Sequence, residues 1–144
     1  MKKAQNEMKL IFPSLSENES LARVAVGGFI SPKNPRIDEL NELKTAVSEA
    51  VTNCIVHAYR DTVGLIELTA KLTDDGVYIK IRDRGCGIED VKKAMEPLFT
   101  TLPGEERSGL GFSVMESFTD SVTVKSRAGS GTTVVMIKKL RSRI

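Results

Sequence analysis

The sequence predicts an α+β fold, a two-layer sandwich in which a mostly antiparallel sheet is covered by helices on one face. Three observations carry this expectation. Strand-like segments come in pairs joined by short turns, at Asp74-Asp75-Gly76 and at Gly129-Ser130-Gly131. Helical periodicities are grouped between those segments and do not alternate with single strands. The length of 144 residues suits one domain spanning 1–144, so both layers should share one core.

Each element has its own signal. Met8, Leu10 and Phe12 alternate with polar or exposed positions, the period of a half-buried strand that Pro13 ends. Ser16 followed by Glu19 has capping-box spacing, so a helix is expected from there to about Ile30, weakened near Gly27-Gly28. Ser31-Pro32-Lys33-Asn34-Pro35 reads as loop, after which Asp38 is expected to cap a long helix. Leu40, Leu43, Val47, Ala50, Val51, Cys54 and Ala58 recur on it at steps of three and four, giving one apolar face. Leu65 to Thr73 and Val77 to Arg82 read as a hairpin, followed by the glycine-rich Asp83-Arg84-Gly85-Cys86-Gly87. Residues 97–111, with Pro97, Pro103, Gly104, Gly109 and Gly111, should form a mobile loop. A helix is expected over Phe112 to Phe118, then strands over Val122 to Lys125 and Thr132 to Ile137. The order is β-α-α-β-β-loop-α-β-β.

Composition excludes several classes. With 40% hydrophobic and 28% charged residues and no Trp, the chain is not collagen-like, coiled-coil or disordered. The net charge, 21 basic minus 19 acidic, is +2, too balanced to indicate a nucleic-acid binder. Lys138, Lys139, Arg141 and Arg143 gather near the end without interleaved aromatics and read as a solvated tail. Cys54 and Cys86 make neither a disulfide framework nor a zinc site, which points to a reducing compartment. No apolar run reaches the ~18 residues of a membrane span, and the polar start lacks a signal-peptide stretch. The cytoplasm is the expected location.

Three segments could carry chemistry. Thr45, Glu49, Asn53 and His57 step by four along the long helix and form a slowly winding polar stripe, a spacing that an exposed face shares. Asp83 emerges at a strand end with Gly85 and Gly87 behind it, where main chain can approach a flat or anionic ligand, although a plain turn has the same pattern. Arg107-Ser108-Gly109-Leu110-Gly111 opens a helix, whose free N–H groups and dipole favour phosphate. A P-loop is excluded because Leu110 holds the lysine position, and no G-x-G-x-x-G pattern supports a Rossmann site.

Together these segments resemble the GHKL ATP-binding family of histidine kinases, gyrase, the Hsp90 chaperones and the MutL proteins. Glu49-Ala50-Val51-Thr52-Asn53 is similar to its N box, Asp83-x-Gly85-x-Gly87 to its first glycine box, and Ser108-Gly109-Leu110-Gly111 to its second. Gly131-Thr132-Thr133 resembles the closing threonine motif, and the likeness spans about residues 8–140. Gyrase, Hsp90 and MutL carry large extra domains. The one histidine, His57, lies within the N-box helix and does not suit phosphate acceptance. Ser16-Glu17-Asn18-Glu19-Ser20, Val47 to Asn53, Pro97-Leu98-Phe99-Thr100-Thr101 and Glu106-Arg107-Ser108-Gly109 resemble the small serine kinases that act as sporulation anti-sigma factors. Cys54 and Cys86 stand where that family suggests small or aliphatic residues.

The resemblance implies a protein-serine kinase that uses ATP and Mg²⁺ and releases ADP. Asn53 would ligate Mg²⁺, and Glu49, one helical turn or about 6 Å away along the axis, would be the general base. Asp83 would accept a hydrogen bond from the adenine amino group, which disfavours guanine, with Thr132 supporting that edge through its hydroxyl or a water. Gly85 and Gly87 would shape the adenine end. Ser108, Gly109 and Gly111 would lie by the phosphates, Thr100 and Thr101 would also meet the nucleotide, and Arg107 would contact the terminal phosphate. Glu19 and Arg23 would meet protein partners: a sporulation sigma factor, sigma F, and an anti-anti-sigma factor phosphorylated on serine. A homodimer through the N-terminal strand and helix is implied, with no direct nucleic-acid or membrane contact. Two alternatives stay open: a nucleotide-gated binding module without transfer activity, and a stress-response anti-sigma kinase. The presence of Glu49 favours a kinase, because binding alone needs no base.

Overall fold

The computed structural model describes residues 5–88, 91, 95 and 111–141. Five strands form one sheet: β1 Asn6–Pro13, β2 Leu65–Leu72, β3 Gly76–Asp83, β4 Ser121–Arg127 and β5 Gly131–Lys139. Their spatial order is β1-β2-β3-β5-β4 and every pairing is antiparallel. Helices α1 Asn18–Ile30, α2 Ile37–Asn53 and α3 Gly111–Phe118 complete the described fold. The predicted two-layer architecture is the one observed.

Alternation along the strands explains the core. Ile66, Leu68, Ala70 and Leu72 of β2 pair with Asp83, Ile81, Ile79 and Val77 of β3, and all eight side chains are buried. Val134 and Met136 of β5 extend the same face beside Ile81 and Ile79. On the helical side, Leu43, Ala46, Val47, Ala50 and Val51 of α2 are buried with Ala22, Val26 and Ile30 of α1 and Met115 of α3. Each fully buried Val, Leu, Ile or Met contributes about 1.5–3 kcal/mol over its exposed state, so the sheet face and α2 hold the layers together.

One row across the end of this face matters for the site. Phe12, Ile66, Asp83, Thr132 and Ser126 are register partners from β1 to β4. The row begins apolar and ends polar, so β3 delivers Asp83 in the position that Val77, Ile79 and Ile81 occupy further back.

Local starts and stops differ from the sequence expectation at three places. The first helix begins at Asn18, not Ser16, and has no side-chain cap. Glu19 does not reach back to Ser16, because its carboxylate turns to α2, accepting from Ser48 Oγ and pairing with Arg23 at 3.2 Å. Asp38 is not the cap of α2 either. Arg36 is the N-cap residue with extended backbone, and Glu39 Oε1 accepts its N–H at 3.0 Å. Finally, α2 does not continue to Ala58: Cys54–Ala58 forms a π turn, closed by the Tyr59 N–H on Cys54 O at 3.0 Å. The widening changes the helical spacing after Asn53, so the last step of the stripe, to His57, is not a regular α-helical one.

Glu39 also fixes the chain after β5, since Oε2 accepts the Arg141 N–H at 3.0 Å. Burial raises its pKa, but the Arg141 and Arg36 N–H groups and the Arg36 guanidinium outweigh that and hold it below the usual carboxylate range. A lowered folded-state pKa adds stability above the unfolded value, and that stability is lost as pH falls through the folded one. Glu39→Gln should therefore lower the stability at pH 7 by about 1–3 kcal/mol. In thermal melts, the gap to the wild type should narrow as pH drops below the carboxylate range.

Candidate functional site

The site is built where the end of α2 meets the end of β3. Glu49 and Asn53, one turn apart, are half-buried on α2. Gly111, the first residue of α3, lies against them: a Cβ there would stand 3.2 Å from both Asn53 amide heavy atoms and 3.5 Å from Glu49 Oε2. Glycine lets the start of α3 pack this closely on the Asn53 amide and the Glu49 carboxylate. Placement of α3 also follows from Lys138, whose buried Nζ donates to Phe118 O at 2.7 Å and pairs with Glu42 of α2 at 3.3 Å.

Asp83 faces the other side of the same region. Only 5% exposed, its carboxylate accepts Gly85 N–H on Oδ1 at 2.9 Å, the Cys54 thiol on Oδ2 at 3.4 Å, and the Thr132 backbone N–H. Burial pushes its pKa up, and those three donors offset the shift only in part. Such a carboxylate, once ionised, costs the fold stability: proton uptake favours the folded state, and that contribution is lost as pH rises through the folded pKa. Burial, and after it the charge of Asp83, holds the Cys54 thiol well above its usual range, so the thiol keeps its proton and donates.

The π turn fastens the loop after Asp83. Ala58 O accepts the Cys86 N–H at 3.0 Å, and the Cys86 thiol donates to His57 O at 3.3 Å. Tyr59 is buried, accepts the Arg84 N–H at 2.7 Å and donates to Leu65 O at 2.8 Å. Gly85 is required by close approach, since a Cβ would stand 2.4 Å from Ala58 O. Gly87 is required twice over: its φ is +76° and a Cβ would stand 2.0 Å from Arg127 O.

The β4–β5 hairpin closes the loop from the far side. Ser126 Oγ accepts the Ile88 N–H at 2.8 Å, donates to Gly131 O at 2.9 Å and lies 2.7 Å from Thr132 Oγ1. The Thr132 hydroxyl is thus engaged with Ser126, and it is the Thr132 backbone N–H that reaches Asp83.

Glu49, Asn53 and Gly111 are together, as are Asp83, Gly85 and Thr132, and the Asn53–Cys54 peptide links the two groups. Gly87 sits at the hairpin. Glu19 and Arg23 lie on α1, away from Asp83 but joined to α2 through Ser48. Thr100, Thr101, Arg107, Ser108 and Gly109, with the expected mobile loop, fall outside the described residues. Sequence reasoning missed Tyr59, Ser126 and the role of Cys54. A signal existed for Cys54, as the residue next to Asn53. None existed for Ser126, whose partners arise from strand register.

Among the described residues, no group of three or more His, Cys, Asp and Glu side chains is set to hold a metal ion. The half-buried Asn53 side-chain carbonyl is a hard oxygen donor, which suits Mg²⁺ held mainly by phosphates and water.

Comparison with known proteins decides the family. A model described as "Histidine kinase-like ATPase domain" matches residues 12–138. The chain is 56% identical over 135 residues to an anti-sigma F factor of Lysinibacillus sphaericus, covering 93% of this chain and 92% of that one. It is 51% identical over 137 residues to an anti-sigma F factor of Clostridium beijerinckii, covering 94% and 96%. The chain belongs to the anti-sigma F factor family. Its fold also matches part of a solved structure of the RsbU and RsbW domains of Rv1364c from Mycobacterium tuberculosis, with TM-score 0.70 and 19% identity, covering 97% of this chain and 34% of that one. A nucleotide-binding ATPase fold and an anti-sigma F factor sequence therefore coincide in one chain. Among the described residues, no helix is long and apolar enough to cross a membrane.

Tyr59→Phe tests the fastening of the loop. It leaves the Arg84 N–H and Leu65 O without their partner and should cost about 1–3 kcal/mol. In urea unfolding the midpoint should fall while the slope stays unchanged.

Proposed function

We propose that this chain, as a single domain over residues 1–144, is an anti-sigma factor and ATP-dependent protein-serine kinase. It would bind and inhibit sigma F and phosphorylate a serine of its anti-anti-sigma antagonist. The observation that carries the reading is Glu49 one turn before Asn53, both lying against Gly111 at the start of α3. A module that only bound nucleotide would need Asp83 and the glycines but no carboxylate beside the phosphate end.

In this reading Asp83, fixed by its donors, accepts the adenine 6-amino group, and Gly85 and Gly87 let the base lie against main chain. Asn53 holds Mg²⁺, which supplies charge neutralisation on the phosphates when bound. Glu49 takes the proton of the acceptor serine as its oxygen forms the new bond to the γ-phosphorus, and ADP leaves with the β–γ bridging oxygen. Arg107, Ser108, Gly109, Thr100 and Thr101 complete the phosphate end by resemblance to the family.

Partner binding is proposed for α1. Glu19 and Arg23 are paired there, and Leu21 and Val24 are 43% and 69% exposed, giving an apolar surface beside the charges. β1 is an edge of the sheet, and Ile11 on it is 54% exposed, which supports a homodimer through this part of the chain. Cytoplasmic location follows from these partners.

Incubating the protein with Mg-ATP and a sporulation anti-anti-sigma factor, then mapping phosphate by mass spectrometry, tests the reading. Phosphoserine should appear on the partner. Glu49→Gln should slow transfer about 100-fold or more while leaving ATP affinity near that of the wild type. ATP binding without transfer in the wild type would leave a nucleotide-gated sigma-binding module. Collapse of affinity in Glu49→Gln would assign Glu49 to binding.

Asp83→Asn should separate binding from stability. ATP affinity should fall at least about tenfold, while the melting temperature without nucleotide should shift by the smaller balance of two opposed effects, the removal of a buried carboxylate and the facing of its new amide N–H₂ toward one of the donors.

A further inference from the structure

Cys54 touches the one side chain assigned to the adenine base. Its thiol is buried and lies 3.4 Å from Asp83 Oδ2, while Gly85 N–H occupies Oδ1 at 2.9 Å and the Thr132 N–H adds a third donor. An ionised carboxylate offers about four acceptor positions. Three are therefore held by the protein, and two of the donors are main chain fixed by the sheet and the glycine loop.

We propose that Cys54 is a positioning residue for adenine recognition: its thiol holds Asp83 Oδ2 so that the carboxylate presents one remaining acceptor to the 6-amino group of the purine. This rests on the nucleotide reading given above and adds to it a residue that determines specificity through Asp83. A small aliphatic side chain at position 54 would pack but not donate. Oδ2 would then lose its donor, and the carboxylate could turn about its Cβ–Cγ bond. The loss would fall on ligands that use Asp83 and spare those that do not.

Two nucleotides separate these effects: ATP, and purine riboside triphosphate, which lacks only the 6-amino group. Their affinities are measured by calorimetry for the wild type, Cys54→Ala and Cys54→Ser. The wild type should prefer ATP. Cys54→Ala should reduce that preference about threefold to tenfold, the range of one modest hydrogen bond, with the affinity for purine riboside triphosphate unchanged. Cys54→Ser, which keeps a donor at the same place, should restore most of the preference. Equal weakening toward both nucleotides in Cys54→Ala would reduce the thiol to a packing role and overturn the proposal. So would an undiminished preference for ATP. A wild type that binds neither nucleotide would overturn the nucleotide reading itself, and this proposal with it.

Discussion

The anchoring of the glycine loop on the end of α2 is the constraint on which the site depends. The last carbonyls of a helix have no partners within it. Here the chain widens into a π turn at Cys54–Ala58 and hands His57 O and Ala58 O to Cys86, while Tyr59 takes the Arg84 N–H. Residues 54–59 and 83–86 are therefore locked together by consecutive contacts. The helix that carries Glu49 and Asn53 and the strand that carries Asp83 cannot shift independently. A regular helical ending would use different carbonyls at different angles, and the loop would lose its seat.

That arrangement has an energetic consequence. Asp83 continues the inward series of Val77, Ile79 and Ile81, so the strand's own register drives a carboxylate into the apolar layer. Three donors make this tolerable without making it favourable, as the direction of its pKa shift shows. A sequence selected only for folding would place another aliphatic residue there.

The strands were legible because burial on one face forces period-two alternation, and Pro13 and the Asp/Gly turns mark their limits. Strand order was not legible, because β5 enters between β3 and β4 by pairing over long sequence separation. Helix starts were misread where a tertiary contact won over a local one: Glu19 is drawn to Ser48, and Glu39, not Asp38, closes the start of α2. Of the site, the motif residues were visible because their chemistry is unusual at a strand end and along a helix. The residues that hold them were not. Tyr59 and Ser126 look like ordinary polar surface in the sequence, and only register and the π turn turn them inward. Likewise, the four-residue stripe treated His57 as equivalent to Asn53, since periodicity assumes a regular helix through position 57.

Glu19 links α1 to the turn of α2 that carries Glu49. An i,i+4 pair on an exposed helix is worth only a few tenths of a kcal/mol and would make a weak recognition element by itself. Glu19 and Arg23, however, do not form an isolated pair, because Glu19 also accepts from Ser48, the residue before Glu49. Ser48 is buried, so its hydroxyl needs that carboxylate. Glu19 thus joins α1 to the turn of α2 that carries Glu49 through one side chain.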